Sequence, residues 1–215
     1  MPAGGLMLDI GGVVLRGGTA IAGMLADEEP ALRDAAARIG VATGQDDLWR
    51  QMLAGEVTER AYWSTRSAEL GAVVGEVWDT RALINRLYHR PTEELLNHDV
   101  IDLMLEVRSA GLPLVALTND LAAFHGPAWV AEQEWLRYFD TIVDGSLTGV
   151  LKPDPRAFAA GADAVGLPPP QIVYLDDMPW NVTGGAVAGL QAIQVDAAAP
   201  SAAVHEARHR LFSPQ

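Results

Sequence analysis

The stretch Leu6–Leu15, LMLDIGGVVL, sets the reading of the whole chain. Leu6 to Ile10 is an apolar run of strand length that stops at the pair Gly11-Gly12, the pattern of a buried strand running into a tight turn. One residue breaks it. Asp9 puts a carboxylate at the end of an otherwise apolar strand, which is costly without a partner, so a functional role outweighs that of a simple turn acid. The run is also shorter than the ~20 apolar residues a membrane helix needs and has no basic leader, so neither a span nor a signal peptide is expected.

Working outward, residues 16–97 read as helices without clear strands. Pro30 to Ile39 is punctuated as a helix by Pro at its start and Gly40 after its end, Asp47 to Leu53 stops before Gly55, Thr58 is placed to cap a helix reaching Leu70, and Trp78 to Tyr88 forms another. Beyond Asn97 the rhythm changes. Val100, Leu103, Met104 and Val107 make one buried helical stripe ended by Gly111. Strand-like runs at Leu112–Thr118, Thr141–Asp144, Ile172–Leu175 and Gln191–Val195 then alternate with helical segments such as Pro155–Val165. Alternation at this spacing predicts a parallel α/β sheet, Rossmann-like, with helices on both faces. The expected organisation is a core from residues 1–15 and 98–215, interrupted by a small all-helical subdomain at 16–97. The last 20 or so residues, rich in Ala, Pro and Ser, give only a weak helical signal and are expected to fray.

The 215 residues carry a formal charge of −13, which argues against nucleic-acid or anionic-membrane binding, since both need clustered Lys and Arg. The absence of cysteine rules out a disulfide scaffold, a thiol nucleophile and Cys-ligated metal sites, and makes the cytoplasm the default location. Fourteen of the fifteen basic residues are Arg. The one lysine, Lys152, keeps a compact point charge that Arg does not supply.

Parallel α/β sheets bind ligands at the carboxyl ends of their strands. Asp9, Thr118-Asn119 and Asp176-Asp177 all fall at or just beyond such ends. Three carboxylates gathered there repel one another unless a cation neutralises them, and hard oxygens without His or Cys select Mg²⁺. With Lys152, a Thr hydroxyl and backbone N–H groups added, the set suits a phosphoryl group.

These segments resemble the four motifs of the haloacid dehalogenase superfamily, largely Mg²⁺-dependent phosphatases. The resemblance covers nearly the whole chain. LMLDIGGVVL is similar to the first motif and would make Asp9 the nucleophile, with the Gly11 carbonyl facing the metal. VALTND is similar to the second, implying that Thr118 and the backbone at Asn119 hold phosphate oxygens. LKPDPRAF is similar to the third, with Lys152 steadying nucleophile and phosphate. VYLDDMPWNV is similar to the fourth, with Asp177 as direct metal ligand, Asp176 as a second ligand or acting through metal-bound water, and Asn181 bracing the loop. The insert between the first two motifs is similar to a cap domain that closes over the site, where Trp49, Arg60, Tyr62 and Trp63 are candidates to face the substrate.

One position departs from the family pattern. The residue two after the nucleophile is usually a second Asp, which protonates the leaving oxygen and then activates water; here it is Gly11. Such help is typically worth ~10² to 10⁴-fold, so its loss matters least where the leaving group is already good, as in anomeric, acyl or aryl phosphates. His125, soon after the second motif, could substitute as acid, but a bystander at a pocket edge is the stronger reading. The expectation is a Mg²⁺-dependent phosphohydrolase of a small phosphorylated metabolite, working through an aspartyl-phosphate on Asp9. The alternatives are a catalytically impaired phosphate-binding or regulatory protein and, lower, a metal-free haloacid dehalogenase. A receiver domain is excluded by the order of the acidic pair and by length. His205 and His209 have the spacing of a zinc pair but no accompanying acid, and read as part of the tail helix.

Overall fold

A computed structural model describes residues 3–39 and 46–213, and for 18–22 only the backbone. The chain separates into two compact units, one formed by Met1–Arg16 with Leu96–Gln215 and the other by Gly17–Leu95.

The first unit opens with β1 (Gly5–Leu8). The helical unit follows, with α1 (Gly18–Glu28), α2 (Arg33–Ala36), α3 (Asp47–Leu53), α4 (Glu59–Val73), α5 (Thr80–Leu87) and α6 (Thr92–Leu95). The chain then returns with α7 (His98–Ser109), β2 (Leu114–Thr118), α8 (Leu121–His125), α9 (Pro127–Glu132), β3 (Thr141–Asp144), α10 (Gly145–Thr148), α11 (Pro155–Val165), β4 (Ile172–Asp176), α12 (Pro179–Val187), β5 (Gln191–Gln194) and α13 (Ser201–Phe212).

The five strands form one parallel sheet in the order β3-β2-β1-β4-β5. β1 lies in the middle, with Met7 opposite both Val115 and Tyr174. Strands buried on both faces need no polar alternation, which is why LMLD, LVALT and IVYL read as continuous apolar runs. Successive side chains point to opposite faces. Met7, Val115, Leu117, Ile172 and Tyr174 meet Phe158, Ala162 and Val165 of α11 in one core cluster. The alternate residues Leu6, Leu8, Leu114, Ala116, Val173 and Leu175 are also fully buried, on the face away from that cluster. Two glycines bring α12 close: a Cβ on Gly184 would stand 2.7 Å from the Phe158 ring, and one on Gly185 2.7 Å from the Tyr174 ring.

Residues 18–28, read only as generally helical, form the eleven-residue α1. Two expectations need correction. The helix expected over Pro30–Ile39 is a 3₁₀ turn (Pro30–Leu32) followed by the four-residue α2, and Gly40, expected to end it, lies outside the described residues. The tail, expected to be weakly helical, holds a regular helix among its described residues: α13 runs twelve residues and buries Ala203, Val204, Ala207 and Leu211. Its apolar stripe is built partly from alanines, which carry too little hydrophobic signal to stand out in a segment already rich in them. No helix among the described residues is long and apolar enough to cross a membrane.

Within the helical unit, Asp46 caps α3 by accepting from Trp49 N–H (2.9 Å) and ties it to α4 by accepting from the Tyr62 hydroxyl (2.8 Å) and pairing with Arg66. Tyr62 is fully buried with Trp49 and Trp63 edge-on to its ring at 5.3 and 5.1 Å. Its hydroxyl and ring are committed inside this unit, which removes it from the candidates for substrate contact.

Candidate active site

The strand order places the ends of β1, β2 and β4 side by side, and the residues that follow them converge. Asp9, just past β1, accepts a hydrogen bond from Ile10 N–H at 2.7 Å and pairs with the Lys152 ammonium at 3.0 Å. Lys152 is buried, and its Nζ lies 2.6 Å from Asp176 Oδ2. Asp9, Asp176 and Asp177 each offer a carboxylate oxygen, all within 4.8 Å of one another. The four groups separated by up to 168 positions in sequence therefore form one cluster.

Burial controls the ionisation of this cluster. Loss of water pushes the Asp9 carboxyl up to about 6 even though Lys152 pulls the other way, and Asp176 adds to the rise. For Lys152 burial alone would favour the neutral amine, but Asp176 and Asp9 together outweigh it, so the ammonium is held protonated above its ordinary range.

The two adjacent acids have different surroundings. Asp176 is fully buried, and both its oxygens are surrounded by donors. Oδ1 accepts from Met178 N–H (2.9 Å) and the Asn181 amide (3.1 Å); Oδ2 accepts from Lys152 Nζ and the Tyr174 hydroxyl. Asp177 is only half-buried. Beside it Gly12 has φ +72°, and a Cβ there would stand 2.2 Å from Asp177 Oδ2. Glycine is thus required at position 12 for its backbone and for its lack of a side chain. Gly12 was legible only as half of a turn signal, because the clash is with a residue 165 positions away. Gly11, in contrast, is exposed, and a Cβ on it would meet no atom within 4 Å.

Asn119 performs a task that its sequence context did not suggest. Its side-chain oxygen accepts from Lys152 N–H (2.7 Å) and its amide donates to the Lys152 carbonyl (3.1 Å). This reciprocal pair imitates a strand contact and fastens the lysine loop to the end of β2. The Asn119 side chain is thereby occupied, leaving its backbone for any anion. Thr118, buried at the end of β2, lies in register with Asp144. Asp144 in turn accepts from Ala122 N–H (2.8 Å), and from Ser146 N–H (2.8 Å) and Oγ (2.7 Å), which fixes the turn after Thr118. His125 stacks on Trp129 at 3.9 Å between ring centres. Burial drops its pKa to about 4, so near neutral pH it is the neutral imidazole, a poor general acid.

The donor set fits a hard divalent cation. It consists of carboxylate oxygens without His or Cys, and the missing Cβ of Gly12 keeps the approach to Asp177 open.

The model of the haloacid dehalogenase-like hydrolase family matches residues 5–189. Mouse acyl-CoA dehydrogenase family member 10 is 26% identical over 174 residues, which is 80% of this chain and 16% of that protein. Phosphatase MT3486 of Mycobacterium tuberculosis (strain CDC 1551 / Oshkosh) is 31% identical over 91 residues, 42% of each chain. The chain thus spans less than half the length of these curated relatives. Among solved structures, the L-2-haloacid dehalogenase RSc1362 superposes with a TM-score of 0.62 at 17% identity, covering 91% of this chain and 87% of its own; at that identity the likeness is one of fold.

Proposed function

From the premise that this chain belongs to the haloacid dehalogenase-like hydrolases, we propose that it hydrolyses the phosphate monoester or anhydride of a small metabolite, with Asp9 as nucleophile. The single observation that supports phosphate over halide is the convergence of Asp9, Asp176 and Asp177 beside Lys152. A metal-free displacement of halide from carbon has no use for three carboxylates within 4.8 Å of one another, whereas phosphoryl transfer needs its negative charge neutralised.

In this reading Asp9, Asp177 and the Gly11 carbonyl would hold Mg²⁺, while Asp176, whose oxygens are taken up by donors, fixes Lys152. When bound, the cation supplies charge neutralisation at the phosphoryl oxygens. A carboxylate oxygen of Asp9 attacks phosphorus in line as the bond to the leaving oxygen breaks, giving an aspartyl phosphate. Water then attacks that phosphorus, releasing phosphate and restoring Asp9. The Lys152 ammonium, Thr118 and the Asn119 backbone hold the phosphoryl oxygens, and Asn181 braces the loop through Asp176. The helical unit Gly17–Leu95 serves as the cap that selects the substrate. With Gly11 in place of an acid, good leaving groups are favoured: anomeric, acyl and aryl phosphates over primary alkyl ones.

A phosphate-release screen across those four classes, with and without Mg²⁺, tests this. Metal-dependent turnover with the stated order is expected. Preference for alkyl monophosphates would overturn the leaving-group argument, and halide release from a 2-haloacid in EDTA would replace the phosphatase with a dehalogenase.

A further inference from the structure

Tyr174 lies within the segment VYLDDMPWNV but carries no assigned task there, yet it touches two charged members of the cluster. It lies on β4 two residues before Asp176, so both side chains project toward the same face of the sheet. Its hydroxyl donates to Asp176 Oδ2, the same oxygen that Lys152 Nζ approaches at 2.6 Å. Its ring lies beneath that ammonium, 5.9 Å from centroid to Nζ. Burial first, and then the Asp176 charge, keep the phenol protonated far above its ordinary range, so it remains a donor.

From these contacts we infer that Tyr174 is a positioning residue for Lys152. The ammonium stands between two carboxylates, 2.6 Å from Asp176 and 3.0 Å from Asp9. Asp176 is the more deeply buried of the two and would hold the lysine alone if its oxygens lacked other donors. The phenol satisfies one lone pair of Oδ2 with a neutral O–H, which weakens the hold of Asp176 on the ammonium and leaves Lys152 extended toward Asp9. The ring closes the underside of the ammonium through its electron-rich face. It is itself fixed, edge-on to Phe158 at 5.8 Å and against Gly185. A residue placed only to pack would gain nothing from the hydroxyl. The catalytic consequence rests on the phosphatase reading; the positioning itself does not.

The test is Tyr174→Phe, which keeps the ring and removes one oxygen. Lys152 is the only lysine, so the full chain labelled with ¹³C,¹⁵N-lysine gives a single side-chain signal that reports this ammonium alone. The variant is expected to move that signal clear of its wild-type position. It is also expected to lower kcat on an aryl phosphate by about 10- to 150-fold with KM within about twofold, the range for one hydrogen bond to a charged group, and to lower Tm by no more than about 8 °C. A lysine signal that stays in place overturns the inference, as does a fall in Tm large enough to account for the lost activity. If the wild-type chain releases phosphate from no ester, the phosphatase reading fails by itself, while the lysine signal still decides whether Tyr174 places Lys152.

Discussion

Position 11 and position 12 are both glycine, but for opposite physical reasons. At Gly12 a side chain has no room, so Gly12→Ala should push Asp177 away from Asp9 and raise the Mg²⁺ concentration needed for half-maximal activity by about tenfold or more, the equivalent of losing one charged contact. A metal titration of initial rates would show it, and an unchanged midpoint would remove Asp177 from the metal site. At Gly11 a side chain meets no atom within 4 Å, so Gly11→Asp should fold normally. If the absent acid is what limits alkyl esters, this variant should raise their turnover by about 10- to 100-fold, within the usual worth of general acid–base help, and change aryl esters much less. Equal gains on both classes would separate leaving-group chemistry from position 11. Asp9 was legible because an acid stood inside an apolar run. The different surroundings of Asp176 and Asp177 were not, since Lys152 and Gly12, which create them together with the nearby Tyr174, arrive from other parts of the chain.

At the scale of elements, a strand could be read almost to the residue where burial on both faces leaves an uninterrupted apolar run, as in Ile172–Asp176. Helices with a capping signal were equally clear: Thr58 accepts from Ala61 N–H and starts α4 as its sequence context indicates. α1 was read as helical but not delimited, because its N-cap, Gly17, makes no side-chain cap and its first turn has no acid to mark it. The clamp from Asn119 to Lys152 joins β2 to a loop 33 residues on, and no local pattern encodes it. At α8, His125 gives a prediction of its own. Its folded pKa, about 4, lies below the ordinary 6.5, so the unfolded chain binds the proton more readily. Its contribution should therefore be complete above pH 6.5 and be lost as pH falls from there toward 4. Denaturant unfolding at several pH values should show the stability difference between wild type and His125→Asn rising with pH across this window; the raised carboxyl of Asp9, present in both, contributes the opposite slope and cancels in the difference. An identical slope in the variant would assign the effect to other groups.

For the whole molecule, one sheet brings four distant segments to a common edge, and the order β3-β2-β1-β4-β5 is what places Asp9 at its centre. The parallel sheet and its interruption by helices were readable from alternation alone; the outward roles of the side chains in the helical unit were not, because helical periodicity gives a buried face without saying what covers it. The central claim is that Asp9 becomes covalently phosphorylated, and the chain offers an unusually clean way to ask. The tryptic peptide 1–16 contains Asp9 as its one acidic residue and no Ser, Thr, Tyr or His. Rapid acid quenching of the full chain during turnover of an aryl phosphate with Mg²⁺, followed by digestion and mass measurement, should find a phosphoryl group on that peptide and none after Asp9→Asn. Steady phosphate release with peptide 1–16 never modified, or a phosphoryl group on another peptide that persists in Asp9→Asn, would contradict the account.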